Sequence, residues 1–209
     1  MRSFAALRTT VVGTRRALLA LPLVMVAGAA RAQAQQTIWF AVRGADHSFI
    51  VDMPGEPVYK LIDTVSPSGT PFVYHSYSLD YRRLAFVAQT ALYPADVDVR
   101  QPRLNLQSVL DNRAQRLAGG KWTKIDWRDV QGAPAADSVG PVPGGSVLRQ
   151  LVLLKGRRTV SLVYLASADA LRTPEAERFF QKFVPSEECP EWFNHEDFDT
   201  MKMIRNQWI

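Results

Sequence analysis

Between Ser146 and Ala166 the sequence holds two apolar runs separated only by Lys155-Gly156-Arg157. Residues 147–154 end in Leu151-Val152-Leu153-Leu154. Residues 159–165 carry Val160, Leu162 and Tyr164 at one parity and Val163 and Leu165 at the other. Side chains alternate across a strand, so a strand that is apolar at both parities has no face to leave in water. The pair therefore reads as a β-hairpin in the middle of a sheet, covered on both sides. That feature constrains an architecture and says nothing of a reaction.

The covers must come from elsewhere in the chain, and two helices are expected. For the first, Asn105 reads as the cap, Leu104 and Val109 as a hydrophobic staple, and Gly119-Gly120 as the stop. Leu106, Val109, Leu110, Ala114 and Leu117 fall on one stripe at helical spacing, with Asp111, Arg113 and Arg116 assigned to the opposite side. The second helix opens at Thr173-Pro174-Glu175, with Thr as N-cap, Pro in the first turn and acid at the positive end of the dipole. Ala176, Phe179, Phe180 and Phe183 form its buried face, and Pro185 stops it.

The remaining segments read as strands. Residues 37–43 alternate, with Ile38, Phe40 and Val42 on one side, and a turn leads to a strand carrying Phe49, Val51 and Met53. Residues 58–65 make a third strand. Residues 72–79 and 84–92 make a hairpin around Asp80-Tyr81-Arg82-Arg83. Residues 121–130, with Ile125 and Trp127 on one face, and residues 133–142 precede the central hairpin. Five strands, a helix, four strands and a helix describe an α+β fold: an antiparallel β-sheet with helices on both faces, in α/β/α layers. One domain over residues 35–185 accounts for the pattern.

Residues 1–34 read as a cleavable export signal. Arg2, Arg8, Arg15 and Arg16 precede the apolar run of residues 17–30, which is shorter than the roughly 20 residues of a membrane-spanning helix. The run ends in Ala30-Arg31-Ala32 and Ala32-Gln33-Ala34, small-x-small sequences that an export peptidase accepts. Arg15-Arg16 leaves both twin-arginine and general export open. The leader holds five of the 25 Lys and Arg and none of the 20 Asp and Glu, so the mature chain has 20 of each. The basic footprint that nucleic-acid binding needs is then absent from the mature domain. Its expected location is periplasmic or secreted, with no transmembrane span. The single cysteine, Cys189, permits no internal disulfide.

The segments Ser48-Phe49-Ile50-Val51-Asp52-Met53-Pro54-Gly55-Glu56-Pro57, Leu92-Tyr93-Pro94, Gly119-Gly120-Lys121 and Leu171-Arg172-Thr173-Pro174-Glu175-Ala176-Glu177 resemble a set of exported bacterial domains. Those domains are similar in fold to PsbP, the extrinsic subunit of photosystem II, and to a nuclear-transport factor that binds the GTPase Ran. The resemblance covers about residues 39–184 and implies a non-enzymatic accessory or binding domain. No catalytic or metal-binding residue carries over with it.

Few residues suggest chemistry. The histidines are His47, His75 and His195. Asp46-His47-Ser48 holds the residue types of a hydrolase triad, but neighbours in one turn cannot converge as a triad requires. His75, followed by Ser76 and Tyr77, reads either as a half-exposed strand residue or as part of a ligand cleft with Tyr77. A periplasmic hydrolase using His75, or a small-ligand or metal-binding module, is therefore the alternative to an accessory protein. Asp96 and Asp98 are two carboxylates without further ligands. No phosphate loop, HExxH or CxxC spacing occurs, so neither cofactor nor metal is expected. In the acidic C-terminal tail, residues 186–209, the aromatic side chains Trp192, Phe193, Phe198 and Trp208 suggest a short helix. It either packs back over a sheet edge or anchors a protein partner in the cell envelope.

Overall fold

The computed structural model describes residues 37–44 and 47–185. Ten strands, β1 (Phe40–Arg43), β2 (Phe49–Met53), β3 (Val58–Val65), β4 (Pro71–Tyr81), β5 (Leu84–Leu92), β6 (Lys124–Val130), β7 (Ala133–Pro141), β8 (Ser146–Lys155), β9 (Arg158–Ser167) and β10 (Val184–Pro185), accompany two helices, α1 (Pro102–Ala114) and α2 (Pro174–Gln181). The fold is a mostly antiparallel β structure with two helices. The expected leader, the C-terminal tail with Trp192, Phe193, Phe198 and Trp208, and Cys189 and His195 lie outside the described residues.

Strands β3 to β9 form a seven-stranded antiparallel sheet in the order β3-β4-β5-β9-β8-β7-β6. The β8–β9 hairpin, closed by Gly156-Arg157 with Lys155 opposite Arg158, occupies its middle. There its backbone groups pair on both sides, and both parities of both strands are largely buried. Leu151, Leu153, Val160, Leu162 and Tyr164 join one cluster with Phe49, Val51 and Met53 of β2 and Phe179 and Phe180 of α2. Val152 and Leu154 pack with Leu106 and Leu110 of α1, and Leu148 and Val163 with Ala114 and Leu117.

The largest cluster is aromatic at its centre. Phe179 meets Phe86 edge-on at 5.3 Å and Phe180 at 5.2 Å, and Phe86 lies 5.1 Å from Tyr164. The Tyr164 hydroxyl, inside the core, donates to the Ala170 carbonyl at 2.8 Å, and burial pushes its pKa up. Helix α2 starts as expected: Thr173 Oγ1 accepts from the Ala176 N–H at 3.2 Å, with Pro174 at the first position.

Several expectations are corrected. Helix α1 begins at Pro102, ahead of Asn105, because proline presets the helical φ and lacks the N–H that a first turn leaves unpaired. Asn105 sits inside the helix, where its Nδ2 donates to the carbonyls of Asp98 and Gln101 at 2.8 and 3.1 Å. Leu104 is exposed and staples nothing. The helix ends at Ala114, and Gly119-Gly120 belong to a separate 3-10 turn. Arg113 is half-buried, not on the outer side of α1. Strands β1 and β2 do not extend the main sheet but pair with each other and with β10 in a three-stranded sheet of their own. Of the alternating residues before it, only Val42 is buried.

Candidate functional site

Among the described residues, strand β3 is the edge of the large sheet and pairs only with β4. Its sequence, VYKLIDTV, would suit a buried strand, yet no residue of it is buried. Leu61 is 57% exposed and Val65 62%, and Val58, Tyr59 and Ile62 are exposed with them. Apolar side chains thus project from both sides of a strand whose outer row of backbone N–H and C=O groups has no strand partner among the described residues. Natural edges are usually blunted by charge, proline or a bulge, and β3 has only Lys60 and Asp63 to do so. Where β3 ends and β4 begins, Asp63, Thr64, Val65, Pro71, Phe72 and Val73 line an open depression of about 600 Å3.

The β3–β4 hairpin is held at its tip. Ser66 Oγ donates to Asp96 Oδ2 at 2.5 Å, and Ser68 Oγ donates to the same oxygen. These bonds favour the carboxylate and draw the Asp96 pKa down to about 2. Asp98 instead forms a forked pair with Arg100, at 2.9 Å from Nε and 2.7 Å from Nη2, which depresses its pKa strongly. The two carboxylates therefore turn to different partners and do not converge. Among the described residues no group of three potential metal ligands occurs.

His75 and Tyr77 lie at one parity of β4, beside Tyr59 of β3. The Tyr59 hydroxyl lies 2.8 Å from His75 Nδ1, and the two rings stack at 6.0 Å. Across the strands His75 faces Leu61 and Thr90. The Thr90 hydroxyl is buried and has no hydrogen-bond partner among the described residues. Nothing in this set orients His75 as a general base, since its bonded partner is a phenol rather than a carboxylate. Tyr77 is not a cleft residue: it is 9% exposed and meets Phe49 edge-on at 5.9 Å in the core. Only His75 and Tyr59, with 5.1 Å between Tyr59 and Tyr77, form a partly open aromatic shelf running into the β3 edge.

Sequence reasoning missed β3 as an exposed edge and missed Arg113. Arg113 follows Leu110 by three residues and precedes Leu117 by four, so helical spacing already put it on the buried stripe. Its charge concealed that.

No protein-family model matches the sequence, and no curated protein matches it significantly. Among solved structures, the chain is similar to the cyanobacterial PsbP of Synechocystis sp. PCC 6803, at 10% identity and a TM-score of 0.49. That match covers 74% of this chain and 96% of the other. It is also similar to protein PA94 of Pseudomonas aeruginosa, a protein of unknown function, at 15% identity and a TM-score of 0.42, over 72% of this chain and 99% of that one.

Proposed function

We propose that this chain is an exported, non-catalytic binding or accessory protein of the bacterial cell envelope, and that it engages a protein partner along strand β3. The observation that supports this reading is the open edge: an eight-residue strand with exposed apolar side chains and a row of backbone groups that no described strand pairs with. Such an edge accepts a further strand, whose main-chain bonds supply affinity while Leu61, Tyr59 and Ile62 select side chains. Export rests on the arginine-rich start and short apolar run of residues 1–34. The domain is read as three layers with α1 and α2 on opposite faces of the sheet. The alternation of β8 supports this, with Leu151 and Leu153 siding with α2, and Leu148, Val152 and Leu154 with α1.

The test uses the full chain expressed in a bacterial host, with a photo-crosslinking residue at position 61, at position 62 or, as control, at Arg116. A discrete adduct from positions 61 and 62 in the periplasmic fraction, absent from Arg116, is expected. Equal labelling at all three positions overturns the β3 reading. Retention of the unprocessed chain in the cytoplasm overturns export.

A further inference from the structure

The face of the large sheet that carries Tyr77 is covered at one end of β4 and open at the other. At the covered end, a Cβ on Gly55 would lie 3.3 Å from the Leu79 side chain, and the Phe49 ring meets Tyr77 edge-on at 5.9 Å. Further along β4, His75 and Val73 follow at the same parity, with Leu61 and Val65 of β3 on one side and Leu92 of β5 on the other. Leu61, Val65, Val73 and Leu92 are all exposed. Val65 and Val73 also line the depression at the β3–β4 turn, together with Asp63. A single exposed aliphatic residue is ordinary on a surface, but four that adjoin at one parity mark a surface that another segment covers.

The path of the chain leads toward this patch. Val184 and Pro185 of β10 pair antiparallel with Ile50 and Phe49 of β2, so the chain leaves Pro185 on the far side of Phe49 from Gly55. The step from Gly55 to Phe49 is also the step from Leu79 to Tyr77 along β4. Continued in that sense, it points to His75 and Val73. From Tyr77 to Val73 is about 13 Å of strand. Trp192, seven residues beyond Pro185, has a reach of about 23–25 Å when extended. Residues 186–209 also have the composition that the patch calls for. Trp192, Phe193, Phe198 and Trp208 supply broad apolar rings, and an indole N–H has an acceptor in the Asp63 carboxylate. Acid leads in this segment, with Glu187, Glu188 and Glu191, and the basic Lys202 and Arg205 follow. The patch presents both complements, Arg158 opposite Leu92 and Asp63 in the depression.

We propose that residues 186–209 cross the open end of this face and seat their aromatic rings on Leu61, Val73 and Leu92 and in the depression beside them, so that the occupant of the patch is the chain's own C-terminal segment. Tethering favours this occupant: a segment joined to the domain by a few residues is present at about millimolar effective concentration, ahead of a free partner of similar affinity. Tryptophan and phenylalanine suit the role because each buries a large area while ordering only two side-chain torsions. The inference does not rest on partner binding along β3, because the patch lies on the face of the sheet and a partner strand would pair with the outer backbone row.

The test uses the full chain with a nitroxide on its single cysteine, Cys189, and reads the methyl signals of leucine and valine by NMR. Leu61, Val65, Val73 and Leu92 should lose most of their signal to broadening. Leu104, exposed on α1 where that helix packs on β7 and β8, should keep its signal. In the double variant Trp192→Ala, Trp208→Ala the four patch residues should recover to the level of Leu104, and retained broadening there overturns the anchoring by the rings. Mixing nitroxide-bearing chains with isotope-labelled chains that lack the nitroxide separates the occupants. Broadening in the mixture means that the segment of a second copy fills the patch, and it overturns the proposal. Unbroadened patch signals in the wild-type sequence, or equal broadening of the patch and Leu104, overturn it as well. Failure of positions 61 and 62 to capture a periplasmic partner counts against the β3 reading alone and leaves these signals unchanged.

Discussion

Phe179 joins helix α2 to the sheet, and its removal tests the packing on which the architecture rests. The side chain is fully buried, edge-on to Phe86 at 5.3 Å and to Phe180 at 5.2 Å. Truncation to alanine loses the transfer energy of the ring and leaves a cavity that neighbours from β5, β9 and β2 fill only in part. For a site of this kind the cost is about 3–5 kcal/mol. In urea, with a slope of about 2 kcal/mol/M for a domain of this size, the unfolding midpoint should fall by about 1.5–2.5 M. The corresponding drop in melting temperature is about 6–20 °C. Far-UV circular dichroism at increasing urea reads the midpoint and the slope together. A double-mutant cycle with Phe86→Leu and Phe179→Leu then isolates the ring–ring term, expected at about 0.5–1.5 kcal/mol beyond area burial. A loss below about 1 kcal/mol for Phe179→Ala would mean that α2 is not seated on the sheet, and the reasoning from its aromatic face would fail.

Other perturbations probe separate parts of the molecule. Gly140→Ala puts a Cβ 2.6 Å from Leu117 Cδ1 and 3.2 Å from the Trp122 ring, so it should cost about 1–3 kcal/mol in a urea titration. The β4–β5 turn is made by Arg82 and Arg83, both at positive φ (48° and 66°), so Asn-Gly in their place should raise the melting temperature, by about 0.5–1 kcal/mol in stability. The Asp96 carboxyl has a lower pKa folded than unfolded, so its contribution is complete above about pH 4 and is lost as pH falls toward about 2. Asp96→Asn should therefore flatten the acid limb of a stability–pH profile in that window while leaving the neutral region's slope unchanged.

The central hairpin and α2 were legible in the sequence because their signals are local. Val147 to Leu154 is apolar at both parities wherever the strand sits, and Thr173-Pro174-Glu175 opens a helix through bonds made within its own first turn. The order of strands and helices followed from the same kind of information, with slips at boundaries such as Pro102, where a proline outweighed the asparagine three residues on. The candidate sites were less legible. Whether VYKLIDTV becomes an inner strand or an edge depends on which strands pair with it, and among the described residues only β4 does. His75 and Tyr77 share a parity, yet one is half-buried at the shelf and the other closed in the core by Phe49, a residue distant in sequence.

The polar residues of the large sheet show the division most clearly. Each member, Ser76, Gln89, Gln150 or Ser161, is an unremarkable polar residue in a strand when read alone. Register alone sets Gln89 between Ser76 and Ser161. The sequence by itself determined which segments are oily on both sides and must be interior. Tertiary pairing decided which strand was left at the rim and which scattered polar groups became neighbours, because hydrogen-bond register between distant segments is a property of no single segment.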